Sequence, residues 1–363
     1  MLNYCKDYNE LKLDLDLNLR KLKSMGYHIF IKSNPIYQNL SNDKIVIKSK
    51  KDVKNRLVIS IGLHGIEGYV GHASLISFFD NILATLSDET EVVIYHGINP
   101  FGMKHFRRTN ENNVDLNRNF STNKFTSENI EYKKIEYFFT PRKYTTKKTA
   151  NLGFYGTLTK LIAKYGVTAL KEATLLGQKS LPNGVYYSGE TYQESTRYML
   201  SEIPKILLYI EKVVWIDLHT GYGPRYQMSI INSKYEKAST KEVIEKINYP
   251  IVLGLNAEDF YDVDGDMLEN IYFIKNKLKS KCDLYATCFE FGTLGDSTRK
   301  MIESLKATVF ENSTHHINQS PKFKEYSNIL YKEQFLPSSE KWRVKAEKDF
   351  IQAITGIINY KQI

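Results

Sequence analysis

Cysteine is scarce in this chain. There are three, Cys5, Cys282 and Cys288, with no Cys-x-x-Cys pair. An odd, scattered set argues against a disulfide framework and suits a reducing compartment. Long apolar runs are missing as well. No stretch of about 18 uncharged apolar residues occurs, so no membrane-spanning helix is expected. The opening residues, MLNYCKDYNELKLDLD, carry charges where a secretory signal needs an apolar core. Internal repeats, low-complexity tracts and obvious linkers are also lacking. The expectation is a soluble, cytoplasmic globular protein with no membrane partner.

The chain has 363 residues, of which 42% are apolar. That is enough for a sizeable core, and residues 1–363 read as one domain. The formal net charge is +9. A nucleic-acid binder should interleave aromatic and basic residues on one face. No such face is discernible, so no nucleic-acid partner is expected, and the positive field suits acidic substrates instead.

Strand and helix patterns alternate. Residues 5–25 read as an amphipathic helix through Leu11, Leu13, Leu15, Leu19 and Leu22. HIFIKS (28–33) and KIVIKS (44–49) read as an antiparallel pair at a sheet edge. LVISIGL (57–63), EVVIYHGINP (91–100), KVVWIDLHTG (212–221), IVLGL (251–255) and LYATCFEFGT (284–293) read as further strands. Helices are expected after residue 68, near 239–248 and near 266–280. A polar loop is expected over 101–120, and a mostly helical insertion over 121–211. The part from 297 to 363 reads as helical, with Pro321 and Pro337 as breakers. The fold class is α/β, with a largely parallel mixed sheet flanked by helices.

The chemistry gathers at strand ends. His64 and Glu67, in HGIEG, stand where a buried strand delivers the chain to a helix, a place where α/β sheets bind ligands. An imidazole and a carboxylate three residues apart can grip one metal ion, and zinc (Zn2+) accepts both donor types. His219, at the end of another strand, is the candidate third ligand. Strand periodicity puts Asp217 on its side, where it could fix the His219 tautomer.

His72, His96 and His105 are weaker candidates, for the site, an outer contact and the substrate respectively, while His28, His315 and His316 have no supporting context. Arg107, Arg108 and Arg118 lie within twelve residues, with Asn117 beside the last. Arginine suits bidentate carboxylate recognition. Glu290 is a carboxylate inside an otherwise apolar strand, costly unless paired or functional. The acidic run Glu258–Glu269 has its glycine misplaced for an EF-hand, and reads as a turn and helix N-cap.

In this order, HGIEG, RRTNENNVDLNRNF, DLHTG and EFGT resemble the zinc carboxypeptidase superfamily. They are most similar to a bacterial branch known only as a domain of unknown function. The likeness runs from about residue 57 to 295. Aspartoacylase and succinylglutamate desuccinylase share the metal and Asn-Arg pattern.

The resemblance implies a zinc-carboxypeptidase-like fold. It implies His64, Glu67 and His219 as metal ligands and Glu290 as the catalytic glutamate. Asn117 and Arg118 become the carboxylate-binding pair. The stretch from Glu67 to His219 is long for a carboxypeptidase, which reflects the insertion. In digestive carboxypeptidases an oxyanion arginine ends a WRKTR-like run. Laying FRRTN on that run puts Asn110 there, so Arg108 or Arg107 must take the role.

The implied activity is hydrolysis of an amide next to a free carboxylate, in a small-molecule or peptide substrate. Removal of a C-terminal residue is one form. Deacylation of an N-acyl amino acid is the alternative, and a non-catalytic protein that kept the zinc fold is a third.

Overall fold

The structure, a computed structural model, describes residues 1–121, 128–254 and 265–363. Asp7 caps helix α1 (Tyr8–Ser24) by accepting the Glu10 N–H at 2.9 Å. Leu11, Leu15, Leu19 and Leu22 bury one face of α1, while Leu13 stays exposed. The edge hairpin follows as β1 (Ile29–Tyr37) and β2 (Leu40–Ile47). Next come β3 (Asn55–Ile61), α2 (Gly68–Asn81), β4 (Thr90–His96) and the short α3 (Pro100–His105).

Among the described residues, three α-helices separate these elements from the remaining strands: α4 (Ile130–Phe139), α5 (Lys147–Leu175) and α6 (Glu194–Leu207). Helix α5 is interrupted at Gly166, where φ is +80°. The chain continues through β5 (Lys212–Thr220), β6 (Met228–Asn232), α7 (Thr240–Ile247), β7 (Val252–Gly254), α8 (Met267–Lys277) and β8 (Asp283–Phe291). It closes with α9 (Thr298–His316), α10 (Pro321–Phe335) and α11 (Glu340–Lys361).

The strands form one sheet in the order β1-β2-β4-β3-β5-β8-β6-β7. The central four, β4, β3, β5 and β8, are parallel. Their side chains alternate between two cores. Ile59, Ile61, Ile216 and Leu218 pack with α1, α2 and α11 on one face. Val58, Val213 and Trp215 pack with α6 and α8 on the other. Helices α4 and α5 share a third cluster with α9 and α10, through Phe138, Phe154, Phe310 and Phe323.

Two departures from the sequence reading matter for the site. The polar stretch after Pro100 begins as α3, because Asn99 accepts the Gly102 N–H and Pro100 takes the first helical turn. Strand β6 was not expected, and it runs antiparallel to β8. Its five residues carry too little periodicity to stand out, and pairing with β8 makes the strand. Of the acidic run, Asp266 is the N-cap of α8, and residues 258–264 lie outside the described residues, as does Leu255 of the expected strand 251–255.

Candidate metal centre

The end of β3 is held by backbone bonds before any ligand is considered. The Gly65 N–H donates to the Arg108 carbonyl at 3.2 Å, and the Ile66 N–H to the Arg107 carbonyl at 2.8 Å. The turn therefore lies against the segment that leaves α3. A Cβ on Gly65 would come within 2.1 Å of the Gly102 carbonyl carbon, so only glycine fits. This contact sets where His64 and Glu67 stand.

His64, Glu67 and His219 are all buried, and their donor atoms lie within 4.8 Å of one another. His64 Nδ1 is 2.9 Å from Glu67 Oε1, and His219 Nδ1 is 3.0 Å from Glu67 Oε2. The two Nδ1 atoms are 3.1 Å apart. Each ring turns its other nitrogen to a carboxylate. His64 Nε2 is 3.1 Å from Asp115 Oδ1, and His219 Nε2 is 2.7 Å from Asp217 Oδ2. Asp217 also accepts from the Ser60 hydroxyl at 2.6 Å, and that oxygen accepts from the Trp215 indole N–H at 2.9 Å. Strand register makes this possible, since Ser60 and Asp217 are partners across β3 and β5.

These donors fit a zinc ion. With each Nε2 turned to an aspartate, both Nδ1 atoms face Glu67, so a cation, whether proton or metal ion, belongs between them. Donors 2.0–2.1 Å from one tetrahedral zinc stand about 3.3 Å from each other, close to the spacing here. The electrostatics agree. Burial works against charge on His219, yet Asp217 and Glu67 outweigh it and hold its pKa well above the usual range. Burial likewise raises Glu67, but His64 and His219 reverse the shift and hold it low. The pocket favours positive charge.

Around this centre the other expected residues take distinct places. Glu290 on β8 is the register partner of His219 on β5. Its Oε1 accepts the Tyr222 N–H at 2.9 Å. Burial and then Glu67 push its pKa up to about 7, against the pull of His219, the Tyr222 N–H and Arg108. Arg108 donates from Nε to Asp115 Oδ2 at 2.8 Å, and its Nη1 lies 3.4 Å from Glu67 Oε1. Burial opposes its charge, but Asp115 and Glu67 raise its pKa, so it stays a cation. Arg118 is buried, and its Nη1 donates to the Asn117 carbonyl at 3.0 Å. Asn117 accepts the Met267 N–H at 3.0 Å and donates to Asp266 Oδ2 at 2.8 Å, tying the segment to the start of α8.

Arg107 is differently occupied. Its Nε donates to Glu311 at 2.7 Å, and its Nη2 lies within bonding distance of Asn113 and Asn312. The weaker histidine candidates also have other partners. His72 contacts His96 through Nδ1 and Asp14 through Nε2, and His105 packs on Phe101.

Two contributors escaped the sequence reading. Asp115 joins His64 to Arg108; a buried acid inside the apolar-flanked DLNRNF was the available signal. Tyr331 accepts the Arg108 N–H at 3.1 Å from 223 positions away, and nothing local announces it.

A family model described as protein of unknown function (DUF2817) matches residues 20–349. The chain belongs to the DUF2817 family. No curated protein matches it in sequence. Solved structures show what its fold resembles. Bovine thrombin-activatable fibrinolysis inhibitor, in complex with tick carboxypeptidase inhibitor, matches with a TM-score of 0.50 and 14% identity, over 86% of this chain and 97% of that one. A second structure of thrombin-activatable fibrinolysis inhibitor gives 0.51 and 15%, over 92% and 74%. A succinylglutamate desuccinylase from Silicibacter sp. TM1040 overlays less closely, with a TM-score of 0.39 and 14% identity, over 80% and 66%. This DUF2817 chain thus has a zinc-carboxypeptidase-like fold, a mixed α/β sheet flanked by helices.

Proposed function

We propose that this protein is a zinc-dependent hydrolase of the carboxypeptidase type, cleaving an amide bond next to a free carboxylate. The observation that supports this reading is the convergence of buried His64, Glu67 and His219, with Glu290 on the adjoining strand. His64 and His219 through Nδ1, and Glu67 through its carboxylate, would hold the zinc. Bound there, zinc supplies Lewis-acid polarisation of the scissile carbonyl and makes water a nucleophile near neutral pH.

The chain's own residues do the rest. Glu290 removes the proton of the attacking water and delivers it to the departing amine. The Tyr222 N–H fixes one of its oxygens, which leaves the other for the proton. Arg108, kept cationic by Asp115 and Glu67, stabilises the oxyanion. Arg118 binds the substrate carboxylate. Asn117 assists with its second amide N–H, since the first is given to Asp266. Arg107 is left out of this scheme because Glu311, Asn113 and Asn312 already engage it.

The test is release of free amine by the zinc-loaded protein from two panels, short peptides and N-acyl amino acids. Each compound is paired with a form whose carboxylate is blocked as an amide. Turnover confined to free carboxylates is expected. Turnover of the peptide panel supports the carboxypeptidase form, and of the N-acyl panel the deacylase form. Equal turnover of blocked compounds would remove Arg118 and Asn117 from recognition. Silence of fully zinc-loaded protein on both panels would sink the hydrolase reading.

A further inference from the structure

A second set of ligand-type side chains lies outside this centre. Cys5 precedes α1, Asp14 is on α1 and His72 is on α2. Their thiol sulfur, carboxylate oxygen and imidazole nitrogen lie within 4.8 Å of one another. His72 is buried, at 1% exposure, with Nε2 at 3.0 Å from Asp14 Oδ2. Its Nδ1 is 3.1 Å from Nε2 of the equally buried His96. Cys5 and Asp14 are half-buried at the rim.

We propose that Cys5, Asp14 and His72 form a second zinc site that clasps the amino-terminal segment to α2. A thiolate, an imidazole and a carboxylate make a zinc donor set, with the thiolate adding selectivity for a softer ion. The 3.0 Å between His72 Nε2 and Asp14 Oδ2 is close to the roughly 3.3 Å expected of neighbouring N and O donors on tetrahedral zinc. His96 stands behind His72 as the partner of its other nitrogen, the outer contact that orients a metal-binding imidazole. Cys5 lies outside any helix or strand, so its approach breaks no helical or ladder hydrogen bond. The half-buried rim would leave the fourth position to water.

The surroundings are rich in negative charge. Burial, then Asp14, Glu10 and Asp7, push the Cys5 thiol up to about 11. Without a cation the thiol therefore stays protonated and inert, and the same carboxylates favour an arriving dication. With zinc on Nε2, His72 carries its hydrogen on Nδ1 and donates it to His96 Nε2, and the Cys5 thiol releases its proton to solvent.

Cobalt separates this site from the main centre, which contains no sulfur ligand. Untagged protein loaded with Co2+ should show a sulfur-to-cobalt charge-transfer band in the near ultraviolet. The band should persist in His219→Ala and vanish in Cys5→Ser. Zinc analysis should give about two ions per wild-type chain and about one in each variant. If the main centre fails to bind metal, the wild type still shows the band with one ion. A wild type without the band, or a band that survives Cys5→Ser, overturns the proposal.

Discussion

Asp115 binds His64 Nε2 through one carboxylate oxygen, at 3.1 Å, and Arg108 Nε through the other, at 2.8 Å. One buried side chain thus sets the tautomer of a candidate metal ligand and the direction of the candidate oxyanion arginine. Burial would push its own pKa up, but Arg108 and His64 hold it well below the usual carboxylate range.

Asp115→Asn keeps the shape and removes the charge. Loss of such an outer partner typically costs ~10–100-fold in metal affinity. A chelator competition titration of the main centre should show that loss. An unchanged affinity would separate Asp115 from the metal and leave it a purely structural partner of Arg108.

Glu290→Gln should fold, keep its zinc and bind substrate, with kcat reduced by ~10²–10⁴, the usual effect of removing a positioned base. Melting temperature, zinc content and kcat from one preparation decide it. Near-normal turnover would end the general-base assignment. A sharply lower melting temperature would point to structural pairing instead.

Arg118→Lys replaces a planar fork with a point charge. If the contact holds substrate and transition state equally, KM rises while kcat stays nearly constant. Steady-state kinetics on a carboxylate-bearing substrate should show this split, and an unaltered KM would exclude Arg118 from recognition.

Gly65→Ala tests the scaffold rather than the chemistry. The new methyl would meet backbone of α3 at 2.1 Å, with no flexible side chain to yield. A loss of at least about 1–3 kcal/mol is expected from such overpacking. The metal-loaded variant should also bind zinc more weakly, because the turn carries His64 and Glu67. A denaturant titration with unchanged midpoint would contradict the close packing.

The readable features in the sequence were local ones. A buried strand running into HGIEG places two candidate ligands by itself, and strand parity puts Asp217 beside His219. Glu290 betrays itself as an acid in an apolar strand. The alternation of strands and helices sufficed for the fold class and for the edge hairpin. What stayed hidden depends on partners distant in sequence. Arg107, read as a binding residue, is also tied by its Nε to Glu311 on α9, 204 positions on. Asn117 reads as a free amide until α8 arrives, 149 positions later. Strand β6 owes its existence to β8 rather than to its own five residues.

The hydrogen-bonded line from Trp215 through Ser60 and Asp217 to His219 makes the protein its own optical gauge. The chain has two tryptophans. The other, Trp342, donates its indole N–H at 2.7 Å to the carbonyl of Gly292, two residues past Glu290. Both chromophores are thus wired to strand ends at the centre. Metal entry should alter their emission without any added dye, and His219→Ala should leave Trp215 blind to it.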